Sequence, residues 1–365
     1  MKQEVKHISL ALSGGGVRAA AFHAGVIRFL AENRLLEQIQ HISTVSGGSL
    51  LIGLVYSLNK NNFPTSKEYL DLISKKLKYT FTEKSLQRTA IYRLVFNPKN
   101  WLHIFSRAFV VADALEVCWN ISGKFKDLPP MPVWSINATT AETGKRFRFK
   151  GNRIGEYTLG YADAGDFPLS QAMAVSAAFP GGIGPLKIRK KSFTWEKKNS
   201  WGSSEDDVST VENETINLYD GGVYDNLGIE PLFDCGSQEF KPQDKLTFDY
   251  LIVSDAGLPL EKAVIPGILN PLRFLRLFNL VLDQTRSLRI RSFMNFIKKT
   301  KKGAYIYIGI YSMQRDGDGY SILTDKSRNK SAQYPTTLSR MDIDDYDEIE
   351  MQGFKTAEAV IKLKK

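Results

Sequence analysis

The sequence predicts an α/β protein built around a central, mostly parallel sheet, and three observations point there. Strand-like and helix-like segments alternate along the chain with no internal repeat. Two strand-to-helix junctions are small-residue turns, Ser13-Gly14-Gly15-Gly16 and Ser46-Gly47-Gly48. A largely apolar run at residues 248–254 has the continuous character of a strand buried on both faces, as in parallel sheets.

Length and charge set the outer bounds. At 365 residues, with 43% hydrophobic and 11% aromatic content, the chain is globular, and a single domain over 1–365 is expected. Cys118 and Cys235 lie far apart and form neither a disulfide framework nor a metal site, which fits a reducing cytoplasm. The segment 1–13 is too short for a signal peptide, and no run of about 18 apolar residues offers a membrane span. A net charge of +10 favours an anionic partner, either nucleic acid or a membrane surface. Recognition-helix, finger and aromatic-platform signatures are missing, which argues against nucleic acid.

In chain order, residues 6–12 form the first expected strand, the glycine turn follows, and a helix over 19–33 buries Val26, Ile27, Phe29 and Leu30. Free amides in such a turn, beside a helix N-terminus, hold either a phosphate or the oxyanion of an acyl-transfer intermediate. Gly14-x-Gly16-x-x-Ala19 also fits a dinucleotide fingerprint, but that needs an acid at the end of the second strand. The second strand ends in Val45-Ser46, and no Asp occurs before Asp71. Residues 60–128 read as helical with several basic residues, and Trp101, Phe105, Phe109 and Val110 are expected in the core, a membrane-facing stripe being the alternative. A hairpin pairs 132–139 with 146–149, and a small-residue helix over 169–180 is expected to pack on the helix after Ser46. Residues 199–217 suit a lid or inserted loop. A strand at 216–219 leads into Asp220-Gly221-Gly222, a basic helix spans 271–302, and 304–311 is a last strand. The acidic cluster 342–350 opens a C-terminal helix over 352–363.

Ser46 carries the chemistry. It stands at the apex of a strand–turn–helix, where a hydroxyl is pushed into the open as in a nucleophile elbow, and Gly47 and Gly48 let strand and helix approach. A nucleophilic serine needs a base. Of the four histidines, His7, His23, His41 and His103, none follows residue 103, and His41 sits on the strand that carries Ser46. A Ser-His-Asp triad is poorly supported. A carboxylate held close and partly desolvated can serve instead, and Asp220, at a strand end in a glycine loop, is the best placed.

Ser13-Gly14-Gly15-Gly16-Val17-Arg18, Val45-Ser46-Gly47-Gly48-Ser49, the small-residue helix ending at Pro180, and Tyr219-Asp220-Gly221-Gly222 together resemble, in order, the blocks of patatin-like phospholipases. The likeness covers about 7–260, leaving 261–365 as an extension of the same domain. It implies a three-layer α/β/α fold and a Ser-Asp dyad acyl hydrolase that forms an acyl-enzyme and needs no metal or organic cofactor. Ser46 would be the nucleophile and Asp220 the base. Gly14, Gly15 and Gly16 would form the oxyanion hole, with Arg18 and Gly47 positioning the loop or a phosphate head group. The substrate class is a lipid ester, cleaved by phospholipase A-type or lysophospholipase-type chemistry. Basic stretches at 145–153, 187–198 and 273–302 would give a cytoplasmic protein peripheral contact with an anionic membrane. A soluble esterase or thioesterase and a catalytically silent lipid-binding module are the alternatives. The family elbow reads Gly-x-Ser-x-Gly, whereas Thr44 stands here at the first Gly, and Ala19 replaces another.

Overall fold

A computed structural model describes residues 7–104, 106–196, 214–243, 247–257, 265–267, 270, 272–309, 313–316, 319–322 and 331–361, with backbone alone described at 313–316 and 319–322. The strands are β1 (Ile8–Leu12), β2 (Ile39–Thr44), β3 (Val133–Thr140), β4 (Arg146–Lys150), β5 (Arg153–Glu156), β6 (Gly160–Asp163), β7 (Leu186–Arg189), β8 (Trp195–Glu196), β9 (Thr215–Asp220), β10 (Phe233–Asp234), β11 (Glu239–Phe240), β12 (Tyr250–Asp255) and β13 (Gly303–Tyr307). A further hairpin joins β14 (Met313–Asp316) to β15 (Gly319–Ile322). The main sheet runs β13-β12-β1-β2-β3 with every pair parallel, then continues antiparallel through β4, β5, β6 and β8.

The placement of β9 matters most. One edge of β3 is taken by β4 along Ser135–Thr139. The other edge is shared: β2 occupies it up to Thr44, opposite Ile136, and β9 runs in from the far end to Asp220, opposite Ala138. Two strands of opposite direction thus meet end to end on one edge of β3.

The helices are α1 (Gly16–Glu32), α2 (Gly47–Leu58), α3 (Ser66–Glu68), α4 (Ser74–Glu83), α5 (Leu86–Phe96), α6 (Pro98–Trp101), α7 (Ala108–Trp119), α8 (Leu169–Ser176), α9 (Gly222–Asp225), α10 (Leu272–Thr300) and α11 (Ile343–Val360). Alternation along β1 and β12 sorts them into two layers. Leu10, Leu12 and Ile252 join the large core under α1, α2, α7, α8 and α11. Ala11, Leu251 and Val253 face a smaller core with Phe233, Phe293 and Phe296, under α10 and the β10–β11 hairpin. The result is a three-layer α/β/α arrangement, as expected.

Several expectations are met within a few residues. Helix α8 lies against α2, where Gly53 faces Met173. The C-terminal helix begins nine residues early, at Ile343, because Asp344 and Asp345 stand favourably in its first turn. Trp101 is a correction: it is exposed, as the tip of α6 projects beyond the core, whereas Val110 is buried and Phe109 half-buried. Phe105 and most of the expected lid, 197–213, lie outside the described residues.

Candidate active site

Strand β2 ends at Thr44, and Ser46 turns the chain into α2 with φ +48° and ψ −115°. A non-glycine residue at such a φ is strained, and surrounding contacts hold it there. The Ser46 amide donates to the Ser176 carbonyl at 3.1 Å and to Ser176 Oγ at 3.0 Å. The Gly221 amide donates to the same carbonyl at 3.4 Å, and the Asp220 amide to Ala178 O at 3.0 Å. One helix end, that of α8, therefore clamps both the serine turn and the aspartate loop.

The head-to-head meeting of β2 and β9 brings Ser46 and Asp220 together, close enough for the serine hydroxyl to favour the Asp220 carboxylate. Gly222 N–H donates to Asp220 Oδ1 at 2.7 Å. Asp220 is buried, and burial pushes its carboxyl up to about 7 against the opposing pull of the Gly222 amide and the nearby Ser46 hydroxyl. No histidine takes part: His23 and His41 are engaged elsewhere, and burial pushes each down to about 4.

Thr44, the departure from the glycine pattern, has a use. Trp134 Nε1–H donates to Thr44 Oγ1 at 2.9 Å, and Thr44, Ser49 and Ser176 hydroxyls follow in a chain of 2.8 Å contacts. The chain ends where Ser176 donates to Asn137 O at 2.8 Å. Since the indole can only donate and the last carbonyl only accept, each hydroxyl must donate to the next. Nothing in the sequence pattern marks Ser176, Asn137 or Trp134 for this role, since their partners in the chain of hydroxyls lie far away in sequence.

The glycine loop packs against the serine turn. Gly14 lies against Ser46, and a side chain on Gly47 would collide with the Gly16 backbone. Gly15 and Gly16 take φ values of +142° and +61°, open to glycine. The Gly14 amide is engaged by Asn226 O at 3.1 Å, while among the described residues the Gly15 and Gly16 amides have no acceptor. His23 steadies the loop: its Nε2 faces Ser13 O at 3.0 Å and so carries the proton, leaving Nδ1 to accept from Ser254 Oγ at 2.7 Å. The Gly48 amide donates to that same Ser13 carbonyl at 3.2 Å.

Arg18 is fully buried, donating to Ala256 O at 3.2 Å and Tyr334 O at 2.6 Å, and burial pushes its guanidinium down to about 10. It tethers the loop from behind, with Nη2 beside Gly15. The segment carrying Tyr334 also reaches the start of α1, where the Val17 amide donates to Thr337 O at 3.0 Å. Among the described residues no cluster of His, Cys, Asp and Glu suits a metal ion.

A family model described as patatin-like phospholipase matches residues 10–233. Among solved structures the chain is similar to human GIVD cytosolic phospholipase A2, at 10% identity and TM-score 0.56 over 98% of this chain and 61% of that one. This chain thus spans less than two thirds of that protein's length. It also aligns with VipD from Legionella pneumophila at 12% identity and TM-score 0.35, over 96% of this chain and 67% of that one. No curated protein sequence matches.

Proposed function

The chain belongs to the patatin-like phospholipase family, and from that premise we propose that it is a serine acyl hydrolase that cleaves carboxylic esters of membrane lipids through Ser46 and Asp220. The observation that carries this reading is a buried carboxylate, raised to about 7, brought beside a serine at the apex of a strained turn. Asp220 takes the Ser46 proton as Oγ attacks the ester carbonyl carbon. The Gly15 and Gly16 amides, at the positive end of α1, stabilise the oxyanion. Protonated Asp220 then gives its proton to the departing alkoxide, leaving an acyl-enzyme. A water deprotonated by Asp220 releases the fatty acid and restores the serine.

Gly14 lines the site without offering its own amide, Gly47 keeps the turn against the glycine loop, and Arg18 holds that loop in place. The residues needed for the cycle are all side chains and amides of this chain, so no cofactor is invoked. The chemistry is read as carried by one domain, and the sheet shared by β1, β2, β12 and β13 supports that reading. Peripheral contact with an anionic membrane follows from the lipid substrate and the net charge of +10.

The test is fatty-acid release from phospholipid vesicles alongside hydrolysis of a short soluble ester. Ser46→Ala should lower both by at least about 10³-fold, and Gly15→Ala by roughly 10²–10³ as a donor is displaced. Undiminished turnover by purified Ser46→Ala protein would sink the proposal. Hydrolysis of the soluble ester alone would reassign the enzyme to soluble substrates.

A further inference from the structure

We propose that the exposed tip of the α5–α6 hairpin, with Phe179 and the N-terminal half of α10, forms an apolar collar that seats the candidate site on an anionic lipid bilayer. This rests on the acyl-hydrolase reading for its purpose but not for its evidence.

The tip is unusual for a protein surface. Phe96, Trp101 and Leu102 are 67%, 59% and 87% exposed, with Ile91 and Val95 open beside them. A contiguous apolar patch of this kind marks an interaction site. It is also braced. Arg93 donates to both carboxylate oxygens of Asp113, at 2.6 and 2.8 Å, and Asn100 adds a third bond at 2.8 Å.

The hairpin straddles the site. At its start, the Gln87 amide donates to Leu338 O at 2.9 Å, in the segment whose Thr337 caps the first turn of α1. At its end, Arg107 Nη1 donates to Gly182 O at 3.3 Å. Gly182 closes the turn begun by Phe179, the residue after Ala178, whose carbonyl holds the Asp220 amide. Phe179 in turn meets Phe278 of α10, ring centroids 5.9 Å apart. Beyond it Phe274 and Val281 are 75% and 61% exposed. Apolar side chains thus rim both sides of the loop next to Asp220.

Charge identifies the occupant. No acidic residue lies between Glu83 and Asp113, a stretch carrying Lys84, Arg88, Arg93, Lys99 and Arg107. None lies between Glu261 and Asp283 either, where Arg273 and Arg276 alternate with the apolar residues. A second copy of the chain would set basic rim against basic rim, whereas an anionic bilayer satisfies both the apolar and the cationic character. Trp101, with Nε1–H donating to Val95 O at 3.2 Å, suits the interfacial depth at which tryptophan settles.

The experiment uses the full chain carrying Ser46→Ala, so that no lipid is consumed, sedimented with vesicles of phosphatidylcholine alone or mixed with phosphatidylserine. The mixed vesicles should bind it more tightly, and added salt should weaken that binding. Trp101→Ser with Leu102→Asp should lower partitioning by about tenfold or more. Phe274→Ser with Leu275→Ser should act in the same direction, and both pairs should keep the parent melting temperature because the side chains are exposed. Unchanged partitioning of both variants, or indifference of the parent to phosphatidylserine, would overturn the proposal. A dimer in solution that the tip variant dissociates would assign the face to a second copy instead. Absence of ester hydrolysis by the native chain would sink the catalytic reading alone and leave the vesicle result standing.

Discussion

As candidates, Ser46 and Asp220 were recognisable because each announces itself locally: a small-residue turn after a β-branched strand, and a carboxylate before two glycines. What holds them was not recognisable. The hydroxyl chain from Trp134 through Thr44, Ser49 and Ser176 to Asn137 joins residues up to 132 positions apart (Thr44 to Ser176), and no local pattern encodes such a path. It also explains the missing glycine at position 44, which supplies a hydroxyl to a buried indole. Restoring the family pattern with Thr44→Gly should therefore harm the protein, leaving Trp134 Nε1 without its acceptor and Ser49 Oγ with Ser176 as its one remaining partner in the chain. A loss of about 1–3 kcal/mol is expected, read as a lower urea midpoint at unchanged m-value. A gain in stability would show that the hydroxyl chain contributes nothing.

Among the elements, β1, β2, β12 and the glycine turns were read from the sequence within a residue or two, since continuous apolar runs and small-residue junctions are local signals. The head-to-head arrangement of β2 and β9 on β3 was not, because pairings such as Thr44 with Ile136 and Ala138 with Asp220 join distant parts of the chain and leave no periodic trace. The helical stripe at Trp101 was read as core because amphipathic spacing reports that a face is apolar, not what covers it. α10 is fixed at its middle. Arg286 donates to the buried Asp255 carboxylate at 2.7 and 3.0 Å, and Tyr305 adds a bond at 2.6 Å. Arg286→Ala strips the cation from a fully buried carboxylate. It should cost about 3–5 kcal/mol, measured by thermal or denaturant unfolding. A cost under about 1 kcal/mol would mean that solvent reaches Asp255.

At the scale of the molecule, the parallel half of the sheet carries the candidate site at the C-terminal ends of its strands, where open α/β sheets place ligands. Strand β9, antiparallel to β3 and off the main run of the sheet, contributes Asp220. Fold class and the place of the candidate site were legible together, since both follow from where the glycine turns fall. The basic character was legible too, since charge can be counted along the chain, whereas the exposure of the α5–α6 tip depends on what packs around it. pH connects the whole to the site. With its carboxyl pushed up to about 7, Asp220 is protonated and idle well below neutrality and gains its base form as pH rises. The most direct measurement is the rate of fluorophosphonate labelling across pH 5–9 (roughly the span on either side of that value), with the adduct mapped by mass spectrometry. A single adduct on Ser46, forming faster as pH rises through about 7 and slowed with its pH dependence lost in Asp220→Asn, is the predicted result. Labelling elsewhere, or on Ser46 with a profile that Asp220→Asn leaves unchanged, would contradict the dyad.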